Sequence, residues 1–290
     1  MIWRLLPFRS LDAAENMAID EALFRECQPG QTPPTLRFYA WLKPAVTFGY
    51  FQDPASDIDL EACERCRIDV VRRPTGGKAV LHEHDLAYAL VAADIHPSFT
   101  PDILGTYRII NGCLARGLAL FGLEAAMCPD KRPSIDERLG ASCFSSLSRF
   151  DLLAGARKLC GSAQVRAHGV FLQHGSILLN FDPERTAVLM GKHYRQEGGQ
   201  AESLQASVTS LYEQLGRDVD YESLRQALVR GFELKLGVRL REGDLSPAEE
   251  RRKNQLLRHK YRNERWNREG GSAGRGAPDL ISDSGSGRGC

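Results

Sequence analysis

Residues 141–164 read ASCFSSLSRFDLLAGARKLCGSAQ and place a thiol, Cys143, fifteen positions before an amine, Lys158. Cys143 sits in a run of small polar residues that reads as an exposed loop, where reactivity rather than packing decides what a thiol does. A cationic lysine close by favours thiolate over thiol and so prepares a nucleophile. Alternation along RKLCGSAQVR puts Lys158, Cys160, Ser162 and Gln164 on one strand face and Leu159, Gly161, Ala163 and Val165 on the other. Plainer readings stand beside these: a lysine on a polar sheet face is solvated, and a free cysteine is a small buried hydrophobe. The small residues around Lys158 count against the first, because they leave room that a bound molecule would fill. Cys160 is the rival thiol, nearer to the lysine in sequence and disfavoured by burial within its strand.

VVRRPTGGKAVLH carries a second signal, Gly76-Gly77 just after a strand. A Walker loop needs G-x-x-x-x-G-K-[ST], and here the glycine pair directly precedes Lys78-Ala79, so that motif is absent. Paired glycines serve a tight turn, or they let a ligand approach main-chain amides closely. Arg72, Arg73 and Lys78 around them favour an anionic or carbonyl-bearing ligand. G-x-S-x-G occurs only as GGSAG at residues 270–274, within the Gly, Ser and Arg-rich segment rather than between a strand and a helix, so no nucleophile elbow is read there. Cys63 and Cys66 form one C-x-x-C without the partners a tetrahedral site needs, and LEACERCRI reads better as a short helix showing both thiols on one face. His82-Glu83-His84 alone is too little for a metal, and neither metal nor cofactor is expected.

Elements must position these residues. SLDAAENMAIDEALFREC reads as a surface helix capped by Ser10, with Leu11, Ala14, Met17, Ala18 and Leu23 as its buried stripe. TLRFYAWLKPAVTFGYFQ suggests two strands joined by a turn at Lys43-Pro44; strands follow at IDVVRR and at residues 86–92. DILGTYRIINGCLARGLALFGL is a long amphipathic helix, and Ala167-His168-Gly169 turns a hairpin between RKLCGSAQVR and GVFLQHGSILLNF. Strands and helices without strict alternation predict an α+β fold of mixed β-sheets flanked by helices. From Asp220 onward a helix, a short strand and a charged helix predict a small C-terminal helical extension over 220–267, packed on a larger domain of residues 1–219. The Gly, Ser and Arg-rich segment 268–290 is expected to be disordered.

Composition bounds the function. Of 290 residues 42% are hydrophobic and 26% charged, enough for a sizeable core, and a net charge of +1 argues against a nucleic-acid binder. The opening MIWRLLPFRS reads as neither export signal nor membrane span, so the expectation is a cytoplasmic protein with no membrane partner and its eight cysteines reduced.

AENMAIDEAL, VTFGYFQ, RRPTGGKAVLH, CFSS, GARKLCGSAQVR and GVFLQHGSILLNF together resemble the lipoate/biotin protein ligase superfamily, in register from about residue 1 to about 267. More narrowly they resemble its cysteine-dependent octanoyltransferases, since Cys143-Phe144 stands where lipoate ligases carry Asn-Asp. The resemblance implies a biotin/lipoate protein ligase catalytic-domain fold, Cys143 as acyl acceptor and Lys158 at the substrate carbonyl. It implies an acyl pocket lined by Arg73, Gly76, Gly77 and His82, with Gly161, Ser162, Ala163, His174 and Gly175 from the hairpin. His82 is the one candidate general base. The implied partners are octanoyl-acyl carrier protein and a lipoyl-domain protein such as the glycine cleavage H protein; from charge alone, and not from the resemblance, Arg149, Arg157 and Arg166 are read as docking charges for the acidic carrier. Three alternatives stay open: an ATP-dependent lipoate ligase, an amidotransferase moving octanoyl from H protein to a dehydrogenase subunit, and a non-catalytic binder of acylated carriers. HEHDL and Cys160 depart from the family pattern.

Overall fold

The computed structural model describes residues 1–128, 148, 150–190 and 200–269; Cys143, Arg149 and most of the expected tail, residues 270–290, lie outside them. In chain order the elements begin with β1 (Ile2–Leu5), β2 (Arg9–Leu11), α1 (Ala13–Glu26), β3 (Thr35–Trp41), β4 (Ala45–Phe48), α2 (Pro54–Asp57) and α3 (Leu60–Arg65). Next come β5 (Asp69–Arg72), β6 (Val80–His82), β7 (Asp85–Ala93), α4 (Ile103–Phe121), β8 (Ala126–Met127), β9 (Leu152–Ala154), β10 (Arg157–Ala167) and β11 (Val170–Leu178). The chain continues through α5 (Pro183–Leu189), α6 (Gln200–Ser207), α7 (Leu211–Leu215), α8 (Tyr221–Leu236), β12 (Arg239–Glu242), α9 (Pro247–Leu256), a π-helical turn at Leu257–Tyr261 and α10 (Glu264–Glu269).

Among the described residues two mixed sheets form, flanked by helices as the α+β reading expects. The larger runs β12-β1-β3-β7-β11-β10-β9-β8, with β2 added beside β3; the smaller is β5-β4-β6. The two strands predicted on either side of Lys43-Pro44 therefore exist but belong to different sheets. β7 is buried on both faces, which its sequence DLAYALVAA permits because no charge interrupts it after Asp85. Leu86, Tyr88 and Leu90 join a core with α4 and α8, whereas Ala87, Ala89 and Val91 face a core with α1. The β10–β11 hairpin turns through His168 (φ 53°) and Gly169 (φ 75°), two left-handed residues as a type I′ turn needs.

α1 corrects the sequence reading twice. Asp12, not Ser10, caps it by accepting from the Glu15 N–H. It is also no surface helix: Asn16, Asp20 and Glu21 are fully buried along with the apolar residues. The large sheet covers one side of it. On the other side lie α9 and the π-helical turn, where Glu21 accepts from Lys260 Nζ at 2.8 Å and from Tyr261 Oη.

The chain after Asp220 enters both layers. α8 buries Leu224, Leu228 and Phe232 in the core shared with α4, and β12 extends the large sheet by parallel pairing with β1. Trp266 of α10 donates from Nε1 to Arg72 O at the open edge of β5. No helix of the described residues is long and apolar enough to cross a membrane.

Candidate active site

Lys158 is buried, at 4% exposure, and its Nζ lies 2.9 Å from Asp151 Oδ1. The other Asp151 oxygen accepts from the Ser148 N–H at 2.8 Å, so the carboxylate is fixed at both ends. The expected alternation of β10 fails here, because its register against β9 shifts between Lys158 and Cys160. Such a bulge re-aims a side chain. Lys158 consequently lies over Gly161, where a β-carbon would come 2.9 Å from Cε and 3.1 Å from Nζ. The amine thus shares its face with Gly161 and Ala163, and the solvated reading is wrong. Cys160 and Ser162 take the opposite face, where Ser162 Oγ meets Tyr88 Oη at 2.8 Å. Burial there pushes the Cys160 thiol up to about 12, so it is no thiolate at neutral pH.

The lysine borders a cavity of about 380 Å³ between the large sheet and the loop that joins β5 to β6. Met17, Tyr39, Trp41, Val80, Ala87 and Ala163 supply apolar wall, and Tyr107 stacks on Phe150 beside it with ring centroids 4.2 Å apart. Arg73, Gly76, Gly77, His82, Gly161, Ser162, Ala163, His174 and Gly175 all border the same cavity. The structure therefore brings together every described residue that the resemblance assigned.

How they border it differs from the expectation. Gly77 has φ +90°, and a β-carbon there would meet the Arg73 guanidinium at 2.7 Å. Gly49 packs so closely that a β-carbon on it would lie 1.9 Å from Gly77 O. Arg73 donates to the carbonyls of Thr47, Gly76 and Lys78, so it shapes the loop. Arg72 points away altogether and donates to the carbonyls of Tyr50, Gln52 and Trp266. Both guanidinium groups thus serve loop construction, gathering the carbonyls that turns leave unpaired, and of the two only Arg73 borders the cavity.

Two histidines complete the polar part of the wall. His174 Nδ1 lies 2.9 Å from Asp20 Oδ2, and Nε2 lies 2.7 Å from Thr75 Oγ1. Burial holds its pKa below the ordinary value although Asp20 opposes this, so the ring is neutral: Nδ1–H donates to Asp20 and Nε2 accepts from Thr75. His82 repeats the pattern with Asp85 at 2.8 Å and Thr47 at 2.8 Å, and it stacks on Trp41. Both His82 nitrogens are bonded within the protein, and the ring forms part of the cavity wall.

Further expectations are corrected by the geometry. Cys63 is buried, with its thiol pushed up to about 12 by burial, while Cys66 is exposed beyond the end of α3, so the pair shares no face. Arg157 pairs with Glu213 at 2.6 Å, and Arg166 donates to the carbonyls of Pro101 and Asp102, so the two of the three docking candidates that are described are engaged within the protein. Among the described residues no group of His, Cys, Asp or Glu could hold a metal ion.

The sequence profile of the lipoyl protein ligase A/B catalytic domain matches residues 12–233. The chain belongs to that family. Among lipoyl ligase family members, the octanoyltransferase LipM of Kyrpidia tusciae is 40% identical over 269 residues, covering 91% of this chain and 98% of its own length. LipM of Clostridioides difficile is 37% identical over 267 residues, covering 92% and 98%. Lipoate-protein ligase A bound with ATP superposes with a TM-score of 0.75 at 30% identity, covering 92% of this chain and 98% of that one. The bi-partite lipoate protein ligase of Thermoplasma acidophilum gives 0.76 at 29%, covering 92% and 96%.

Within this family member, sequence reasoning missed Asp151, Asp20, Asp85, Thr47 and Thr75. A signal existed for the three carboxylates. Asp151 and Asp20 have apolar neighbours (FDLL, MAIDEAL) and Asp85 heads an apolar run (DLAYAL), and a buried charge requires a partner.

Proposed function

We propose that this chain moves an octanoyl group from an acyl-carrier-protein thioester to a lysine of a lipoyl domain, by way of a thioester on Cys143. Octanoyl transfer itself follows from its place among the LipM octanoyltransferases. The donor, the acceptor and the residue roles are the further reading. What supports them most is the Lys158 ammonium, held by Asp151 beside Gly161 on the wall of a mainly apolar cavity.

The chemistry suits that placement. The Cys143 sulfur attacks the thioester carbonyl, a new C–S bond forms, and the carrier thiolate leaves. The acceptor lysine amine then attacks the same carbonyl, a C–N bond forms, the C–S bond to Cys143 breaks, and the proton shed by the amine is taken up by the departing Cys143 sulfur. Exchanging one thioester for another is nearly balanced and forming the amide is downhill, so the sequence needs no nucleotide. Lys158 stabilises the oxyanion in both tetrahedral intermediates, and a preorganised donor of that kind contributes about 100- to 1000-fold. Burying the hydrocarbon tail contributes roughly 5 kcal/mol at about 0.8 kcal/mol per methylene.

Incubation with octanoyl-acyl carrier protein and the apo form of a glycine cleavage H protein, without ATP, tests this reading. The expected product is an octanoyl amide on the H-protein lysine, read by intact mass. Product only with free acid and ATP would mean a ligase, and product on a dehydrogenase lipoyl domain only from octanoylated H protein would mean an amidotransferase.

A further inference from the structure

One row of residues crosses four strands of the large sheet on the cavity side. Gly161 of β10 pairs with Ser176 of β11, Ser176 with Ala87 of β7, and Ala87 with Tyr39 of β3. All four border the cavity. The first three are small and leave a trough running at right angles to the strands; the fourth is a full aromatic ring.

The geometry points to this row as the gauge of acyl-chain length, with Ala87 under the terminal methyl and Tyr39 as the stop. The inference deepens the octanoyl-transfer reading above and rests on it. Lys158 fixes the start, because its amine lies over Gly161 and would receive the acyl oxygen there. From Gly161 to Ala87 is two strand spacings, about 9.5 Å. The seven carbon–carbon bonds of an extended octanoyl chain span about 8 Å at the ~1.2 Å advance per bond of an extended backbone. A chain begun at the lysine therefore ends close to Ala87, and the next strand beyond it carries the tyrosine.

The stop is rigid and the neighbouring path is closed. Tyr39 donates from Oη to Asp20 at 3.1 Å, and the Arg37 guanidinium lies 3.9 Å from its ring centroid. Ser176 turns its hydroxyl to Asp85 at 2.6 Å, so it adds no free donor to the trough. In the next row Ala163 pairs with His174, whose hydrogen-bonded imidazole fills the space a tail would need.

The test compares kcat/KM for hexanoyl, octanoyl, decanoyl and dodecanoyl carrier proteins in the wild type, Ala87→Val and Tyr39→Leu. Ratios between chain lengths are read, so a variant that is merely less stable does not mimic the effect. One excess methylene in a fitted apolar pocket changes discrimination by about 10- to 200-fold. The wild type should fall at least tenfold from octanoyl to decanoyl. Ala87→Val should raise the hexanoyl-to-octanoyl ratio at least tenfold, and Tyr39→Leu should raise the decanoyl-to-octanoyl ratio. A wild type indifferent between octanoyl and decanoyl overturns the gauge by itself, whatever the variants do, as do variants that leave the ratios unchanged. A wild type that turns over no acyl carrier protein of any length counts instead against the transfer reading.

Discussion

The Lys158 ammonium and the Asp151 carboxylate meet at 2.9 Å with side chains only 5% and 4% exposed. In a low-dielectric site such a pair holds a charge in one place, and removing one partner leaves the other poorly compensated. Asp151→Ala should therefore destabilise the protein by roughly 3–5 kcal/mol in urea unfolding. Lys158→Met combined with Asp151→Leu should recover most of that stability and none of the activity. Lys158→Met alone should lower kcat/KM for octanoyl transfer by about 100-fold or more, the scale of a lost oxyanion donor.

His174 gives a pH signature. Burial depresses its pKa below the 6.5 of a free histidine, so between the two values the unfolded chain binds the extra proton. Its contribution is fully present above the unfolded pKa and is lost as pH falls below it. Unfolding free energy should decline from pH 7 toward pH 5, and His174→Gln should flatten that slope. An equal slope in the variant would assign the acid sensitivity to another group.

Gly49→Ala tests the loop. Its β-carbon would lie 1.9 Å from Gly77 O, which is backbone and cannot swing aside as a side chain can. The loop bearing Gly76 and Gly77 must shift and release the carbonyls that Arg73 gathers. The expected result is a lowered melting temperature and a raised KM for the acyl donor.

Deleting the chain from Ser246 onward removes Lys260 and Tyr261 from Glu21. Burial raises the Glu21 pKa, but Lys260 and Arg25 outweigh it and hold the carboxyl below its ordinary range. Without Lys260 and Tyr261 the acid keeps Arg25 but loses its cover, so the truncated chain should unfold at a lower urea concentration than Lys260→Met, which keeps the rest of that cover.

Much of this was legible in local pattern. The β10–β11 hairpin announced itself by alternation and a His-Gly turn, and the long helix over residues 103–121 by its apolar spacing. The face of Lys158 was not legible, because one bulge reverses alternation and leaves no mark in sequence. α1 misled for a different reason. Asn16, Asp20 and Glu21 look like a solvent stripe until Arg37, His174 and Lys260 arrive from distant segments to satisfy them. Arg72 and Arg73 likewise suggested a ligand, since sequence does not show which carbonyls a fold will leave to be collected.

Octanoyl transfer by this route passes through a covalent octanoyl-enzyme on Cys143. Intact mass after incubation with octanoyl-acyl carrier protein and no acceptor measures it directly. One octanoyl adduct should appear on the wild type, disappear in Cys143→Ala and persist in Cys160→Ala. An adduct that survives Cys143→Ala would put the acyl group on another residue and rule out Cys143 as the nucleophile.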